Sequence, residues 1–129
     1  MSDHAAEKRT TILVVEDELA ILNLVFNVLS NAGYEILMAN SVATARRRWH
    51  AQREKIDLIL TDWSLSDGPP AEFISQILFD NPSTKVVIMS GYVAHTFDLS
   101  KGRLFFLEKP FSINSLLSTI ESLVLSRQQ

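Results

Sequence analysis

The chain is 129 residues long and 47% apolar, enough to enclose the single core of one ordinary domain. Its 12 basic and 15 acidic side chains leave a net charge of −3, which argues against a nucleic-acid surface of its own, and the absence of cysteine removes disulfides and thiolate metal sites. No apolar stretch approaches the roughly 20 residues that span a bilayer. The opening Met1 to Thr10 is polar and unlike a signal peptide, so the sequence predicts a cytoplasmic chain with no membrane contact, a polar extension at 1–10 and one domain at 11–126.

A first apolar run, Ile12 to Val15, leads into Glu16 and Asp17. Leu22, Val25, Phe26 and Leu29 then recur at helical spacing, and Asn31 to Gly33 supplies the stop. Ile21, Leu24 and Val28 add a second apolar stripe, more than a helix with one buried side needs. Tyr34 to Ala39 reads as a second strand. Ser41 is placed to cap the next helix, which turns Val42, Ala45 and Trp49 inward and Arg46 to Arg48 toward water. Ile56 to Leu60, broken only by Asp57, leads to Asp62, and Ser64 to Pro70 is a loop marked by Asp67, Gly68 and two prolines. Ala71 to Phe79 is a third helix, closed by Asn81 and Pro82.

Val86 to Met89 then leads to Ser90 and Gly91, and Leu104 to Leu107 leads to Lys109. Between them, Val93, Phe97 and Leu99 make a poor helical stripe, Thr96, Asp98 and Ser100 compete for the backbone, and Gly102 ends any helix early. At most about two helical turns are expected over Tyr92 to Arg103. The final helix, Ile113 to Ser126, buries Leu116, Leu117, Ile120, Leu123 and Val124.

Short runs rich in Ile, Val and Leu without strict alternation are strands covered on both faces, as in a parallel sheet. Their alternation with helices predicts an α/β doubly wound sheet of five strands and about five helices. Ligands of such sheets collect at the carboxyl ends of the strands, which brings Glu16, Asp17, Asp62, Ser90 and Lys109 to one edge. Three adjacent carboxylates repel unless a cation balances them, and oxygen donors without Cys or His select a hard ion, Mg²⁺ first. A carboxylate-bound Mg²⁺ beside a lysine and a hydroxyl is equipment for phosphoryl transfer. Asp62, ending the central strand, is the nucleophile candidate, and Gly91 leaves its amide open to a phosphoryl oxygen.

The acidic pair of Ile12-Leu13-Val14-Val15-Glu16-Asp17-Glu18, the acceptor in Leu58-Ile59-Leu60-Thr61-Asp62, the Met89-Ser90-Gly91 turn and the Glu108-Lys109-Pro110-Phe111 end together resemble the receiver domain of two-component response regulators, from about Thr11 to Leu125. The resemblance implies a flavodoxin-like strand order 2-1-3-4-5, with the fourth helix shortened or irregular here. It implies Asp62 as phosphoacceptor, Mg²⁺ held by Asp17, Asp62 and the Ser64 carbonyl with Glu16 acting through water, Lys109 and Ser90 on the phosphoryl oxygens, and Phe106 as an aromatic switch. A cis bond before Pro110 and a donor phosphohistidine on a histidine kinase or phosphotransfer protein are also implied. In similar receivers the first turns of the first helix dock on the donor, which would make Ala20, Ile21 and Leu24 partner surface. The chain ends a few residues after the last helix, so no output segment is expected beyond it, as suits a stand-alone regulator, a relay station or a receiver from a hybrid kinase. A weak Tyr92 to Arg103 face predicts a monomer that stays monomeric on phosphorylation.

Two other readings compete. A haloacid dehalogenase-type phosphatase also strings an Asp, a Ser and a Lys along strand ends, but it places a second Asp two residues after the nucleophile, where this chain has Ser64. A degenerate receiver, kept only as an interaction module, would have lost chemical positions that are all present here. Individually, Asp17 could cap a helix, Ser90 could be a turn serine, Phe106 could be core and Lys109 could be a surface residue.

Overall fold

The computed structural model describes residues 9–91 and 102–127. Strands β1 (Thr11–Val15), β2 (Glu35–Ala39), β3 (Leu58–Asp62), β4 (Lys85–Ser90) and β5 (Leu104–Glu108) alternate with helices α1 (Leu19–Asn31), α2 (Val42–Gln52), α3 (Ala71–Asp80) and α4 (Ile113–Arg127). The strands form one sheet in the order β2-β1-β3-β4-β5, with every neighbouring pair parallel, as expected from covered strands joined by helices.

Successive strand residues point to opposite faces, so each strand feeds two cores. Leu13, Val15, Ile59, Val86 and Ile88 pack with Trp49 of α2 and Phe73 and Ile77 of α3. Ile12, Val14, Leu58, Leu60, Val87 and Met89 pack with Leu22, Val25 and Leu29 of α1 and Leu116 and Ile120 of α4. Val28 and Ile21 also pack on this second core, while Phe26, expected on the inward stripe of α1, is only half-buried. Leu24 stays 45% exposed.

The third strand begins and ends two residues later than its apolar run. Ile56 is buried, but its amide closes the turn after α2 on Gln52, and the ladder starts where Asp57 N–H donates to Thr11 O and the Asp57 carboxylate accepts from Thr11 N–H, both at 2.9 Å. At its other end Asp62 is still in register, opposite Met89.

Local signals set the helix ends. After α1, Gly33 at φ 102° lets Tyr34 N–H reach Leu29 O and Gly33 N–H reach Ser30 O, a double closure that needs a left-handed residue. Ser41 Oγ accepts from Thr44 N–H at 3.1 Å, and Ser112 Oγ accepts from Ser115 N–H at 3.0 Å, capping α2 and α4. The arginine run is less solvated than expected. Arg47 and Arg48 are exposed, but Arg46 lies 5.9 Å over the Phe73 ring and Arg48 Nε donates to Met38 O. The weak helix expected over Tyr92 to Arg103 lies, apart from Gly102 and Arg103, outside the described residues, and so does the face on which the monomer expectation rests.

Arg103, entering β5, donates to the carbonyls of Leu78, Asn81 and Thr84 and so closes the end of α3 and the turn after it. Arg103→Ala is expected to lower stability by about 1.5–3 kcal/mol, the range for hydrogen bonds to charged groups. Arg103→Lys, which cannot span three carbonyls with one ammonium, should recover only part of it. Urea unfolding midpoints measure both.

Candidate functional site

Four strand ends converge at one edge. Past β1, Glu16 N–H donates to Ala39 O at 3.0 Å, so the chain is still tied to β2 when the acidic pair begins. Past β3, Trp63 N–H donates to Met89 O at 3.0 Å, and past β5, Lys109 N–H donates to Ser90 O at 2.7 Å. The Lys109–Pro110 peptide is cis, as the resemblance implied.

These ties put the charged groups together. Lys109 Nζ sits 2.8 Å from Glu16 Oε1 and 3.4 Å from Asp62 Oδ1. Glu16, Asp17 and Asp62 each offer a carboxylate oxygen within 4.8 Å of the others. Glu16 is 1% exposed, and burial raises its carboxyl above the ordinary value, opposed by the Lys109 hydrogen bond and the Glu18 amide. Burial alone would lower the Lys109 ammonium, but the hydrogen bond to Glu16 and the charges of Glu16 and Asp62 outweigh it and raise it. One ammonium faces three carboxylates, so the cluster stays negative.

Whether a hard cation fits can be read from the donor set. It is all oxygen, closely spaced and in negative excess, which suits Mg²⁺. The three carboxylates are not equivalent. Both oxygens of Glu16 already accept, from Lys109 and from Glu18 N–H at 3.1 Å, whereas Asp17 commits one oxygen, to Ser66 N–H at 2.8 Å. Asp17 is therefore better placed than Glu16 to offer an oxygen directly to an ion.

The remaining expected residues lie around this centre. Ser90 is buried at the end of β4, Ser64 is exposed on the loop after Asp62, and Phe106 is half-buried against the core under α2 and α3. On α1, Ala20 and Leu24 are exposed and Ile21 half-buried. A groove of about 300 Å³ is lined by Ile21, Leu24, Lys109, Pro110 and Phe111, so it abuts the charged centre without including Ala20. The sequence marks Pro110 and Phe111 only as neighbours of Lys109. Asp67 reads in the sequence as a turn residue, yet its carboxylate accepts from Val42 and Ala43 N–H at 2.9 and 3.1 Å, a contact between loop and helix that no local pattern announces.

Residues 12–121 match the response regulator receiver domain. The chain belongs to this family. The DNA-binding transcriptional regulator NtrC of Rhizobium meliloti is 31% identical over 113 residues, covering 85% of this chain and 23% of the relative. The sensor kinase CckA of Brucella abortus is 25% identical over 117 residues, covering 88% and 12%. The chain thus spans under a quarter of the length of either curated relative. The CheY-like receiver from Methanospirillum hungatei superposes with a TM-score of 0.83 at 25% identity, covering 94% of this chain and 98% of that one. Membership sets aside the haloacid dehalogenase-type phosphatase: receivers are signalling switches rather than turnover enzymes.

The receiver carries its own probe. Trp63 adjoins Asp62 and is half-buried against the core, while Trp49 is 1% exposed with Nε1–H bonded to Asp80 at 3.0 Å. Added Mg²⁺ is expected to change Trp63 emission saturably, and Asp17→Ala should shift the midpoint about tenfold or more. A full response retained in Trp63→Phe would refute the local origin.

Proposed function

We propose that this receiver takes a phosphoryl group from a phosphohistidine, on a histidine kinase or a histidine phosphotransfer protein in the cytoplasm, onto Asp62. The observation that carries the reading is the Asp62 carboxylate at a strand end, 3.4 Å from the Lys109 ammonium and clustered with Glu16 and Asp17. An Asp62 oxygen forms a bond to phosphorus as the bond to the donor imidazole nitrogen breaks, and that nitrogen takes up a proton as it leaves. Mg²⁺ held by Asp17, Asp62 and the Ser64 carbonyl, with Glu16 through water, would supply positive charge to the phosphoryl oxygens.

Lys109 pairs with a second phosphoryl oxygen and the Ser90 hydroxyl donates to a third. Drawing Ser90 toward the phosphate frees space into which the Phe106 ring turns. Water later attacks phosphorus and releases Asp62, so the lifetime of the anhydride is the lifetime of the signal. Ala20, Ile21 and Leu24 would meet the donor helix, an apolar contact continued by the groove that runs to Lys109, Pro110 and Phe111.

Acetyl phosphate with Mg²⁺ is expected to add one phosphoryl group by mass spectrometry, and Asp62→Asn to add none, since an amide is neither nucleophile nor anionic ligand. Undiminished labelling of that variant would reject Asp62. Failure of the wild-type chain to be labelled by any donor would favour the degenerate receiver. Ile21→Asp should slow transfer from a protein donor about tenfold or more, a loss of the size that a hot-spot residue gives. It should leave acetyl phosphate labelling unchanged, and equal loss of both would mean damage to the site.

A further inference from the structure

The loop after the acceptor is tied down at two consecutive residues, in two directions. Ser66 N–H donates to the Asp17 carboxylate at 2.8 Å. The next residue, Asp67, accepts from Val42 and Ala43 N–H at 2.9 and 3.1 Å, and these are the first two amides of α2. Ser41 Oγ takes the amide of Thr44, so the amides that open α2 and lack partners within the helix are satisfied. Around the two anchors the loop is closed by Gly68 N–H to Leu65 O at 3.1 Å, with Gly68 at φ 126° and Leu65 buried in the core beneath. The two amides hold the Asp67 carboxyl below its usual range, so at neutral pH the tie is charge-assisted.

We infer that Asp67 is a positioning residue for the metal-binding edge: by clamping its loop to α2, it keeps the Ser66 amide on Asp17 and the Ser64 carbonyl at the site. This rests on the proposed reading of Asp17, Asp62 and Ser64 as metal ligands. A loop released from α2 visits conformations in which those groups are misplaced, and apparent affinity falls by the fraction of time the competent one is lost. Linkage is reciprocal, so an ion at Asp17 must in turn tighten the bonds of Asp67 to Val42 and Ala43. A carboxylate remote from the ion thereby joins the site to the start of α2.

The test titrates Mg²⁺ into the full chain, read by Trp63 emission, and follows backbone amide exchange by NMR. Asp67→Ala is expected to weaken Mg²⁺ about tenfold, the lower end for lost support of ligands. Asp67→Asn keeps one acceptor oxygen where the carboxylate uses both, so it retains one of the two ties and should weaken Mg²⁺ less than Asp67→Ala, by about threefold. The two variants remove the same charge, so loss of long-range attraction alone would weaken them equally. Mg²⁺ should slow exchange at both Val42 and Ala43 in the wild type, at one of them in Asp67→Asn and at neither in Asp67→Ala. Equal weakening in both variants, or Asp67→Ala binding as tightly as a wild type that does bind, would overturn the inference. A wild type that binds no Mg²⁺ would instead bring down the metal reading itself, and this inference with it.

Discussion

An ammonium 2.8 Å from one carboxylate and 3.4 Å from another is what allows this sheet to end in three acids. Glu16 is nearly sealed from solvent and Asp62 is 8% exposed, so their repulsion is screened far less than it would be in water. Breaking a buried ion pair by loss of one partner typically costs about 3–5 kcal/mol, because the other charge is left behind; Lys109, with 21% of its side chain exposed, softens that figure. Lys109 reaches both carboxylates only because its own backbone is bonded to Ser90 at the neighbouring strand end. The position of that one charge depends on parallel pairing all the way from β1 to β5.

The sheet's construction serves this concentration of charge. The inner strands β1, β3 and β4 are buried on both faces while the edge strands β2 and β5 are only partly so, and the acids extend from the dry middle of the sheet. Beyond the last ladder bonds, side chains and loops must hold the chain in place. The loop after β3 lies between the acidic cluster on one side and a helix on the other, and its short bonds to Asp17 and to the start of α2 give it a defined place between them. The α1 face is built differently. Its inward stripe is closed by Leu22, Val25 and Leu29, and the apolar surplus at Ile21 and Leu24 opens onto the groove that leads to Lys109. A surface that is costly to expose therefore borders the charged centre.

Much of this is legible in the chain as written. The apolar runs, their lack of alternation and the helical spacings between them determined a parallel doubly wound sheet, and the general rule for strand ends was enough to bring Glu16, Asp17, Asp62, Ser90 and Lys109 together. Helix caps at Ser41 and the stop at Gly33 were also readable, because capping is decided within a few residues of the cap. Family membership rests on a match over residues 12–121, a span that includes all four motifs.

What only the tertiary structure decided are the contacts between residues with no shared local pattern. Nothing around Asp67 says that its carboxylate closes a helix beginning twenty-five residues earlier; that depends on where α2 lies against the loop. The resemblance implied a lesser role for Glu16 than for Asp17, but not that both Glu16 oxygens are taken, by Lys109 and by Glu18 N–H. Periodicity put Phe26 on the inward stripe of α1, yet it is only half-buried, as is Val28 beside the second core, because both lie near the boundary of the buried stripe. Sequence pattern specifies which residues must be covered and where the chain turns. The partner of each polar atom is selected by packing, because hydrogen bonds act over about 3 Å and that distance is fixed only when whole elements are in place.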